Sequence, residues 1–299
     1  MASDVGNLRF AFFGTPKVAS DTLAMLILRG FIPTIIVTSP DAPKGRGLAL
    51  APSEAKTLAL AHNLKVITPE TFDEKTIANV SAFGCDYAVV VAYGKIFPEA
   101  LINAFPQGVL NVHYSLLPKY RGATPVETVL LAGDTETGVS IQKMAKKLDA
   151  GDIVARKVVE IKDGEGACEL RPRLIAIGAN LLIDILPDYL EGKITPAPQD
   201  HTRATFTKKI TKEDGLIDLT EDPLENYKKI RALNDGSGAY FFTSRNGRRL
   251  RVRIVEASYK SGVLTIVRVV PEGRKEMSYE DFLRGENFHL LDRANSLGS

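Results

Sequence analysis

An amide and an imidazole lie two residues apart at the end of an apolar run, where they could take part in a reaction. Asn111 and His113 belong to Gly-Val-Leu-Asn-Val-His, an alternating run that is typical of a β-strand. Side chains two residues apart on a strand point to the same face, about 7 Å from one another. Val109, Asn111 and His113 are therefore expected on one face, and Leu110 and Val112 on the other.

This pair could serve the transfer of an acyl group between two nitrogens. The Asn111 amide could donate a hydrogen bond to the carbonyl oxygen as it gains charge, a role worth about 3 kcal/mol for one well-placed donor. His113 could be a second donor or could carry a proton. A carboxylate would orient the imidazole and accept protons, and Leu148 to Asp152 (LDAGD) offers two candidates, Asp149 and Asp152.

Other interpretations of the same residues stay open at this point. A single histidine in an apolar run is often a core residue whose nitrogens are satisfied by neighbours. Asp149 could simply begin a turn with Ala150 and Gly151. Gly14-Thr15-Pro16 lacks the second and third glycines of a dinucleotide-binding turn, and Gly45-Arg46-Gly47 does not follow a strand directly. These glycines therefore give no support for NAD or ATP binding.

Strand and helix patterns alternate up to about residue 145, which predicts an α/β domain with a mostly parallel sheet. The nearly continuous apolar run 86–92 predicts a central strand covered on both faces. A polar, glycine-bearing loop is expected over 39–52, and a long helix over 169–191. Short strands are expected beyond it, with one helix among them, which indicates a small β-barrel. The expected strands are 217–219, 239–244, 249–258 and 263–270, and the helix is 223–234.

Composition fits a globular protein of two domains, with 299 residues, 44% hydrophobic and 25% charged. The two cysteines give neither a disulfide framework nor a metal-binding pattern. No apolar run approaches the roughly 20 residues that span a bilayer, and the first residues do not resemble a signal peptide. We therefore expect a cytoplasmic protein with no membrane partner and no metal, and nothing requires more than a monomer.

Positive charge is concentrated near the end of the chain. Residues 228–275 contain 12 basic and 3 acidic residues, whereas the net charge of the whole chain is only +2. Such an excess could bind a phosphate backbone. A solvated charged face is the alternative explanation.

The chain resembles methionyl-tRNA formyltransferases in segments whose order and spacing match over residues 8–205. The combination Asn-x-His, Ser-Leu-Leu-Pro and Asp-Ala-Gly is specific to folate-dependent formyltransferases. The later segments 210–218 and 236–241 resemble the C-terminal domain of that family. The matching N-terminal segments are FFGTP (12–16), GRG (45–47), VVVAYGKIFP (89–98), NVHYSLLPKYRGATP (111–125), AGDTETGVSI (132–141) and LDAGDI (148–153).

The resemblance implies transfer of a formyl group from 10-formyltetrahydrofolate to the α-amine of methionine on initiator tRNA, for translation initiation. It implies catalytic roles for Asn111, His113 and Asp149, and selects Asp149 over Asp152. The residues implied to line the folate pocket are Tyr93, Gly94, Ile96, Pro98, Ser115, Leu116, Leu117 and Pro118. The residues expected to contact tRNA are Lys44, Arg46, Arg248, Arg249 and Arg251.

The implied fold is a Rossmann-like formyltransferase domain over 7–193, a linker over 194–207 and an OB-like, tRNA-binding β-barrel over 208–293. Two departures from the family pattern would weaken tRNA binding: 48–51 is apolar, and 259–277 is short enough to suggest a missing strand. A sugar-nucleotide N-formyltransferase with the same cofactor therefore stays as the first alternative. The second is an inactive folate- or RNA-binding protein.

Overall fold

The computed structural model describes residues 8–44, 48–245, 248–284 and 289–290, and they form two compact units. The first unit comprises the chain up to Ala123, Thr137–Val159 and Pro172–Thr207. The second comprises Thr124–Glu136, Glu160–Arg171 and the chain from Lys208 onward. The second unit therefore includes two short segments, Thr124–Glu136 and Glu160–Arg171, that a division at residues 193 and 208 would assign to the first domain.

The first unit is built on a seven-stranded sheet in the order β5-β2-β1-β6-β7-β8-β9. The pairs from β5 to β7 are parallel, and β8 runs antiparallel to β7. This mostly parallel sheet confirms the predicted fold class, with the apolar strand β6 at its centre. The strands are β1 (Phe10–Gly14), β2 (Ile35–Val37), β3 (Ala42–Lys44), β4 (Ala49–Ala51), β5 (Val66–Ile67), β6 (Tyr87–Val91), β7 (Val109–His113), β8 (Glu136–Lys143) and β9 (Ile153–Glu160).

Helices cover the sheet, and their first residues show local reasons for beginning there. The Ser53 and Asp73 side chains accept hydrogen bonds from Lys56 N and Thr76 N, which satisfies amides that have no partner within the helix. Across the chain the helices are α1 (Lys17–Leu28), α2 (Glu54–Ala61), α3 (Glu74–Ser81), α4 (Glu99–Asn103), α5 (Pro125–Ala132), α6 (Ala167–Leu190), α7 (Pro223–Leu233) and α8 (Tyr279–Arg284).

Both faces of the sheet are packed. On one face, Phe13, Phe72, Tyr93 and Phe97 form an aromatic cluster with centroid separations of 4.9–6.3 Å. On the other face, α6 passes closely over β7 and β8 because Gly178 has no side chain. A Cβ there would lie 3.0 Å from Val112 Cγ1 and 3.2 Å from Val139 Cγ1. The sheet is thus a rigid support for whatever its strand ends carry.

The prediction of a loop over 39–52 was wrong in part. Strands β3 and β4 pair as an antiparallel hairpin, with Pro43 opposite Leu50. Three-residue strands with exposed or half-buried side chains have too little periodicity to be recognised in a sequence. Residues 45–47 lie outside the described residues.

The second unit contains a five-stranded antiparallel sheet in the order β13-β12-β11-β10-β14. Its core includes Ile230 of α7, Phe282 of α8 and the strand residues Phe241, Val252 and Val269. The predicted strand over 217–219 is not formed; Leu216 makes a single bridge to Tyr240 instead. The strands are β10 (Tyr240–Arg245), β11 (Arg248–Lys260), β12 (Val263–Pro271), β13 (Met277–Ser278) and β14 (His289–Leu290).

The segment 194–207, for which the sequence predicts a linker, is part of the first unit. Ala197 pairs with Ile153 of β9 through hydrogen bonds of 2.8 and 2.9 Å. Thr205 accepts from Arg121 N, and Thr207 N donates to Arg121 O. These contacts are hydrogen bonds between main-chain groups, so they leave no pattern of apolar side chains by which the sequence could predict them.

None of the helices in the described part of the chain is long and apolar enough to cross a membrane.

Candidate active site

Strand β7 presents Asn111 and His113 on one face of the sheet. Its partner β8 runs antiparallel, with Asn111 opposite Gln142 and His113 opposite Ser140. Directly opposed residues in such a pair share a face. Leu110 lies on the other face and is fully buried. The alternation of the sequence therefore places an amide, an imidazole, a second amide and a hydroxyl side by side.

The loop between β8 and β9 brings the Asp149 carboxylate to this face. Its Oδ1 accepts hydrogen bonds from Gln142 Nε2 (2.8 Å) and Asn111 Nδ2 (3.3 Å). Its Oδ2 accepts from Gly122 N (2.8 Å) and lies 3.6 Å from His113 Nδ1. The Asp149 side chain is only 9% exposed, so these donors replace most of its hydration.

The backbone of Asp149 adopts a left-handed conformation, with φ at 46°. Few residues other than glycine do so, and aspartate and asparagine are among those that tolerate it best. Two residues later, Gly151 lies so close to the chain that a Cβ would come within 1.8 Å of Lys143 O. The shape of this loop thus favours aspartate or asparagine at position 149 and requires glycine at position 151.

His113 is oriented by a backbone carbonyl. Its Nε2 lies 2.9 Å from Tyr120 O, and a carbonyl oxygen only accepts hydrogen bonds, so Nε2 carries a proton. The other nitrogen, Nδ1, is the one that faces Oδ2 of Asp149. This leaves Nδ1 as the position where the imidazole can gain or release a proton beside the carboxylate.

The turn that follows β7 is held by buried hydroxyl groups. Ser115 Oγ donates to Lys119 O (2.6 Å), and Ser140 Oγ donates to Ser115 O (2.7 Å) while accepting from Leu117 N (3.1 Å). These bonds fix the path of the chain from His113 to Gly122. The Gly122 amide can then reach Asp149.

This arrangement can support acyl transfer. Asn111 Nδ2 has a second N–H that no acceptor among the described residues takes up, so it can bind a carbonyl oxygen. Asp149 Oδ2 and His113 Nδ1 lie 3.6 Å apart, so an amine bound beside Asn111 could exchange protons with either group. Asp152 is exposed, and its side chain makes no hydrogen bond or ion pair with Asn111 or His113.

The residues predicted to line a folate pocket differ in their exposure. Ser115, Leu117 and Tyr93 are buried, and burial raises the pKa of Tyr93, which belongs to the aromatic cluster. Leu116 and Pro118 are half-buried, as is Pro98. Gly94 is exposed, and Ile96 is 90% exposed. Of the eight predicted residues, the five that are exposed or half-buried therefore offer surface to a ligand, namely Gly94, Ile96, Pro98, Leu116 and Pro118.

The residues predicted to contact tRNA lie on two separate elements. Lys44 of the β3–β4 hairpin forms an ion pair with Glu54, and Arg46 lies outside the described residues. Arg248, Arg249 and Arg251 all belong to β11. The guanidinium carbons of Arg249 and Arg251 lie 3.5 and 3.8 Å from the ring centroids of Phe242 and Tyr240, respectively.

Sequence reasoning missed three polar residues of this region. Gln142 hydrogen-bonds to the Asp149 carboxylate, and it could have been found from the antiparallel register with Asn111. Gln199 donates to the carbonyl oxygens of Asp149 and Gly151, and Arg121 donates to Gln199. No periodicity or motif marks Gln199. In the described part of the chain, no group of three or more His, Cys, Asp or Glu residues could hold a metal ion.

Comparison with known proteins gives consistent results. The family profile described as Formyl transferase matches residues 8–186. The methionyl-tRNA formyltransferase of Bdellovibrio bacteriovorus is 36% identical over 98% of this chain and 100% of its own. That of Chloroflexus aurantiacus is 42% identical over 85% of this chain and 81% of its own.

Solved structures share the fold. A methionyl-tRNA formyltransferase from Clostridium thermocellum has a TM-score of 0.57 at 17% identity, over 91% of this chain and 99% of that one. The sugar 3N-formyl transferase WlaRD, crystallised in the presence of dTDP and 5-N-formyl-THF, has a TM-score of 0.63 at 16% identity, over 85% of this chain and 87% of that one.

Proposed function

This chain belongs to the methionyl-tRNA formyltransferase family, and we propose that its Asn111, His113 and Asp149 transfer a formyl group from 10-formyltetrahydrofolate to the α-amine of methionyl initiator tRNA. The observation that carries this proposal is the convergence of an amide, an imidazole and a carboxylate on one face of β7. Such a product serves translation initiation.

The reaction moves one formyl group and one proton. The amine nitrogen of methionine attacks the formyl carbon, and a C–N bond forms as the carbonyl oxygen takes up negative charge. The bond to N10 of the folate then breaks, the carbonyl reforms, and the proton lost by the amine is balanced by one gained at N10. No metal is needed for this balance.

Asn111 is assigned to the formyl oxygen. The N–H of Nδ2 that does not donate to Asp149 is a fixed donor in a half-buried site, where it needs little reorganisation when charge develops. Its contribution is strongest in the tetrahedral state, because the oxygen is then an anion. One such donor is worth about 3 kcal/mol.

Asp149 and His113 are assigned to the proton transfers. The attacking amine must be neutral, and the Asp149 carboxylate can accept its proton directly or through water. His113 Nδ1, which lies 3.6 Å from that carboxylate, can pass a proton toward the leaving nitrogen. Tyr120 O fixes the ring so that this nitrogen keeps its direction.

The folate is proposed to bind along two backbone segments. Gly94, Ile96 and Pro98 follow the central strand β6, and Leu116 and Pro118 follow β7. Ligands of open α/β sheets bind beyond the carboxyl ends of such neighbouring parallel strands. An isoleucine that is 90% exposed provides apolar surface for a planar pterin, with exposed backbone at Gly94 available for hydrogen bonds.

The tRNA is proposed to bind the second unit through the β10–β11 face. The guanidinium groups of Arg249 and Arg251 lie over the rings of Phe242 and Tyr240, and their positive charge on this face is proposed to attract the tRNA phosphates. Arg248 begins the same strand. Lys44 and Arg46 are proposed to contact the acceptor end of the tRNA. The segment 208–293, which contains the β11 arginines, is proposed as the tRNA-binding domain.

The first alternative, transfer to an amino sugar on a nucleotide, receives less support. The sugar formyltransferases share the fold at 16–18% identity, whereas relatives 36–42% identical bear the tRNA enzyme's name. An amino-sugar substrate also gives no reason for the arginines on β11. The second alternative, an inactive binding protein, gives no reason for the alignment of Asn111, His113 and Asp149.

The test is incubation of the purified protein with 10-formyltetrahydrofolate and methionyl initiator tRNA over a series of salt concentrations. We expect formyl-methionyl-tRNA to form, at a rate that falls as salt rises under subsaturating tRNA. A parallel reaction with an amino-sugar nucleotide is the control. Formylation of the sugar and not of the tRNA would reject the proposal in favour of the first alternative.

A further inference from the structure

Two buried glutamines hold the short segment that carries Asp149. Gln142 Nε2 donates to Asp149 Oδ1 (2.8 Å), and its Oε1 accepts from Gly151 N (3.2 Å). Gln199 Nε2 donates to Asp149 O (2.9 Å) and to Gly151 O (2.6 Å). Side-chain amides therefore bind the Asp149 carboxylate, the carbonyls of Asp149 and Gly151, and the Gly151 amide.

The orientation of both amide groups is fixed by chemistry. Carboxylate and carbonyl oxygens only accept hydrogen bonds, so the Nε2 atoms must face them. The oxygen of Gln199 accepts from Arg121 Nη2 (2.6 Å), and that guanidinium also lies 2.8 Å from His201 Nδ1. Gln142 and Gln199 are 1% and 6% exposed, so water cannot readily replace these bonds.

The segment needs such support because its conformation is unfavourable by itself. Asp149 has φ at 46°, a region that side chains other than glycine rarely adopt. Without external bonds the loop would relax to other conformations, and the carboxylate would leave Asn111 and His113. The hydrogen bonds to the backbone of Asp149 and Gly151, on both sides of Ala150, restrict that relaxation.

We propose that Gln142 and Gln199 are positioning residues for the Asp149 carboxylate in formyl transfer. They act through Asp149 and do not touch either substrate. The proposal rests on the function proposed above and adds to it a residue from β8 and one from the segment for which the sequence predicted only a linker.

The experiment replaces each glutamine with methionine, which has a similar volume but no amide. For Gln142→Met and Gln199→Met we expect kcat to fall roughly 10²-fold, the loss that about 1 Å of misplacement can cause. KM for folate and for tRNA should stay within about twofold, because binding groups are untouched. Gln107→Met, at an exposed glutamine, is the matched control and should keep parental kinetics. Parental kcat in both site variants would overturn the proposal.

A second background separates positioning from general stability. In Asp149→Asn, Gln142→Met should cause no further loss of the single-turnover rate, because the carboxylate through which it acts is gone. An equal fold-loss in both backgrounds would overturn the proposal. If Gln199→Met does not fold, Gln199→Glu keeps the volume and the acceptor for Arg121 while removing both donors, and the same kcat loss is expected.

Hydrogen exchange gives a readout that does not depend on activity. The Gly151 amide, which is bonded to Gln142 Oε1, should exchange faster in Gln142→Met than in the parent, while amides of β6 stay protected. Unchanged exchange at Gly151 would overturn the proposal that Gln142 positions this segment, even if the protein formylates tRNA. If the parent does not formylate tRNA but Gly151 exchange responds as expected, the proposed function fails. The positioning of the Asp149 segment by the glutamines is then still supported.

Discussion

Asp149 has a left-handed backbone, and this limits the substitutions that can test its carboxylate. Asparagine tolerates the same conformation and has nearly the same shape, so Asp149→Asn keeps the backbone while it removes the charge and replaces one acceptor oxygen with an NH2 group. We expect kcat to fall roughly 10²- to 10⁴-fold, the usual contribution of a general base. Folate binding, measured by fluorescence titration, should be nearly unchanged.

The exposed Asp152 provides the matched control for this substitution. Asp152→Asn should keep the parental kcat, since the Asp152 side chain makes no hydrogen bond or ion pair with Asn111 or His113. An Asp149→Asn enzyme that turns over as fast as the Asp152→Asn enzyme would contradict the assignment of the base.

Cys168 offers a pH-dependent test in the second unit. Partial burial and the nearby Glu169 raise the pKa of its thiol to about 11. The thiolate is the reactive form and a reagent can reach Cys168, so it should react slowly with a disulfide reagent at pH 8 and faster as the pH rises toward 11. Glu169→Gln removes a negative charge and should increase the rate at pH 8. A rate at pH 8 equal to that of free cysteine would contradict this environment.

Single residues differ in how far sequence alone could predict their place. The alternation around Asn111 and His113 predicted their common face, and the structure shows both beside Asp149. Residue types could not decide between Asp149 and Asp152, because both follow the same strand. Gln199 could not be predicted at all, since it lies in an aperiodic stretch and its partners are backbone carbonyls.

At the scale of elements, the loop between β8 and β9 depends on the absence of a side chain at Gly151. A Cβ there would lie 1.8 Å from Lys143 O, in the strand that carries Gln142. Gly151→Ala should therefore lower the free energy of unfolding by about 1–3 kcal/mol, a usual cost of overpacking. It should also lower kcat, because the loop must shift near Asp149. Urea denaturation and steady-state rates measure the two effects.

Gly236 is a suitable control because its nearest neighbour to a new Cβ is 4.0 Å away and its φ is not positive. Gly236→Ala should leave stability and kcat near parental values. Equal effects of the two substitutions would show that glycine content in general, and not the contact with Lys143, is responsible.

Elements with strong periodicity were predictable and irregular ones were not. The apolar run 86–92 corresponds to the central strand Tyr87–Val91, and the long helical pattern to Ala167–Leu190. The β3–β4 hairpin was missed because its strands are three residues long. The strand expected over 217–219 was wrong, because the short alternation Ile-Asp-Leu is not enough to pair with a neighbouring strand, and only Leu216 forms a bridge.

At the scale of the whole molecule, charge is distributed unevenly, and this predicts how binding responds to salt. A net charge of +2 conceals an excess of nine positive charges over residues 228–275. Each phosphate contact adds roughly 0.7 to 0.9 to the slope of log affinity against log salt. The double variant Arg249→Ala, Arg251→Ala should therefore bind tRNA more weakly and with a slope smaller by roughly 1.5.

Lys275→Ala removes an exposed positive charge from the same region without altering the β10–β11 face. Filter binding over a salt series should give this variant a nearly parental slope. If the arginine pair and the lysine change the slope equally, binding depends on overall charge and not on the arginines stacked on Tyr240 and Phe242.

The pairing of Ala197 with Ile153 has a consequence for solubility. Strand β9 is the last of its sheet, and an uncovered edge strand readily pairs with another copy of the same chain. The segment 194–207 occupies part of that edge with its own backbone. A shortened protein that ends at residue 193 should therefore aggregate at concentrations where one ending at 207 does not, which light scattering would detect. The segment that the sequence predicts as a linker is thus expected also to prevent the edge strand of one copy from pairing with that of another.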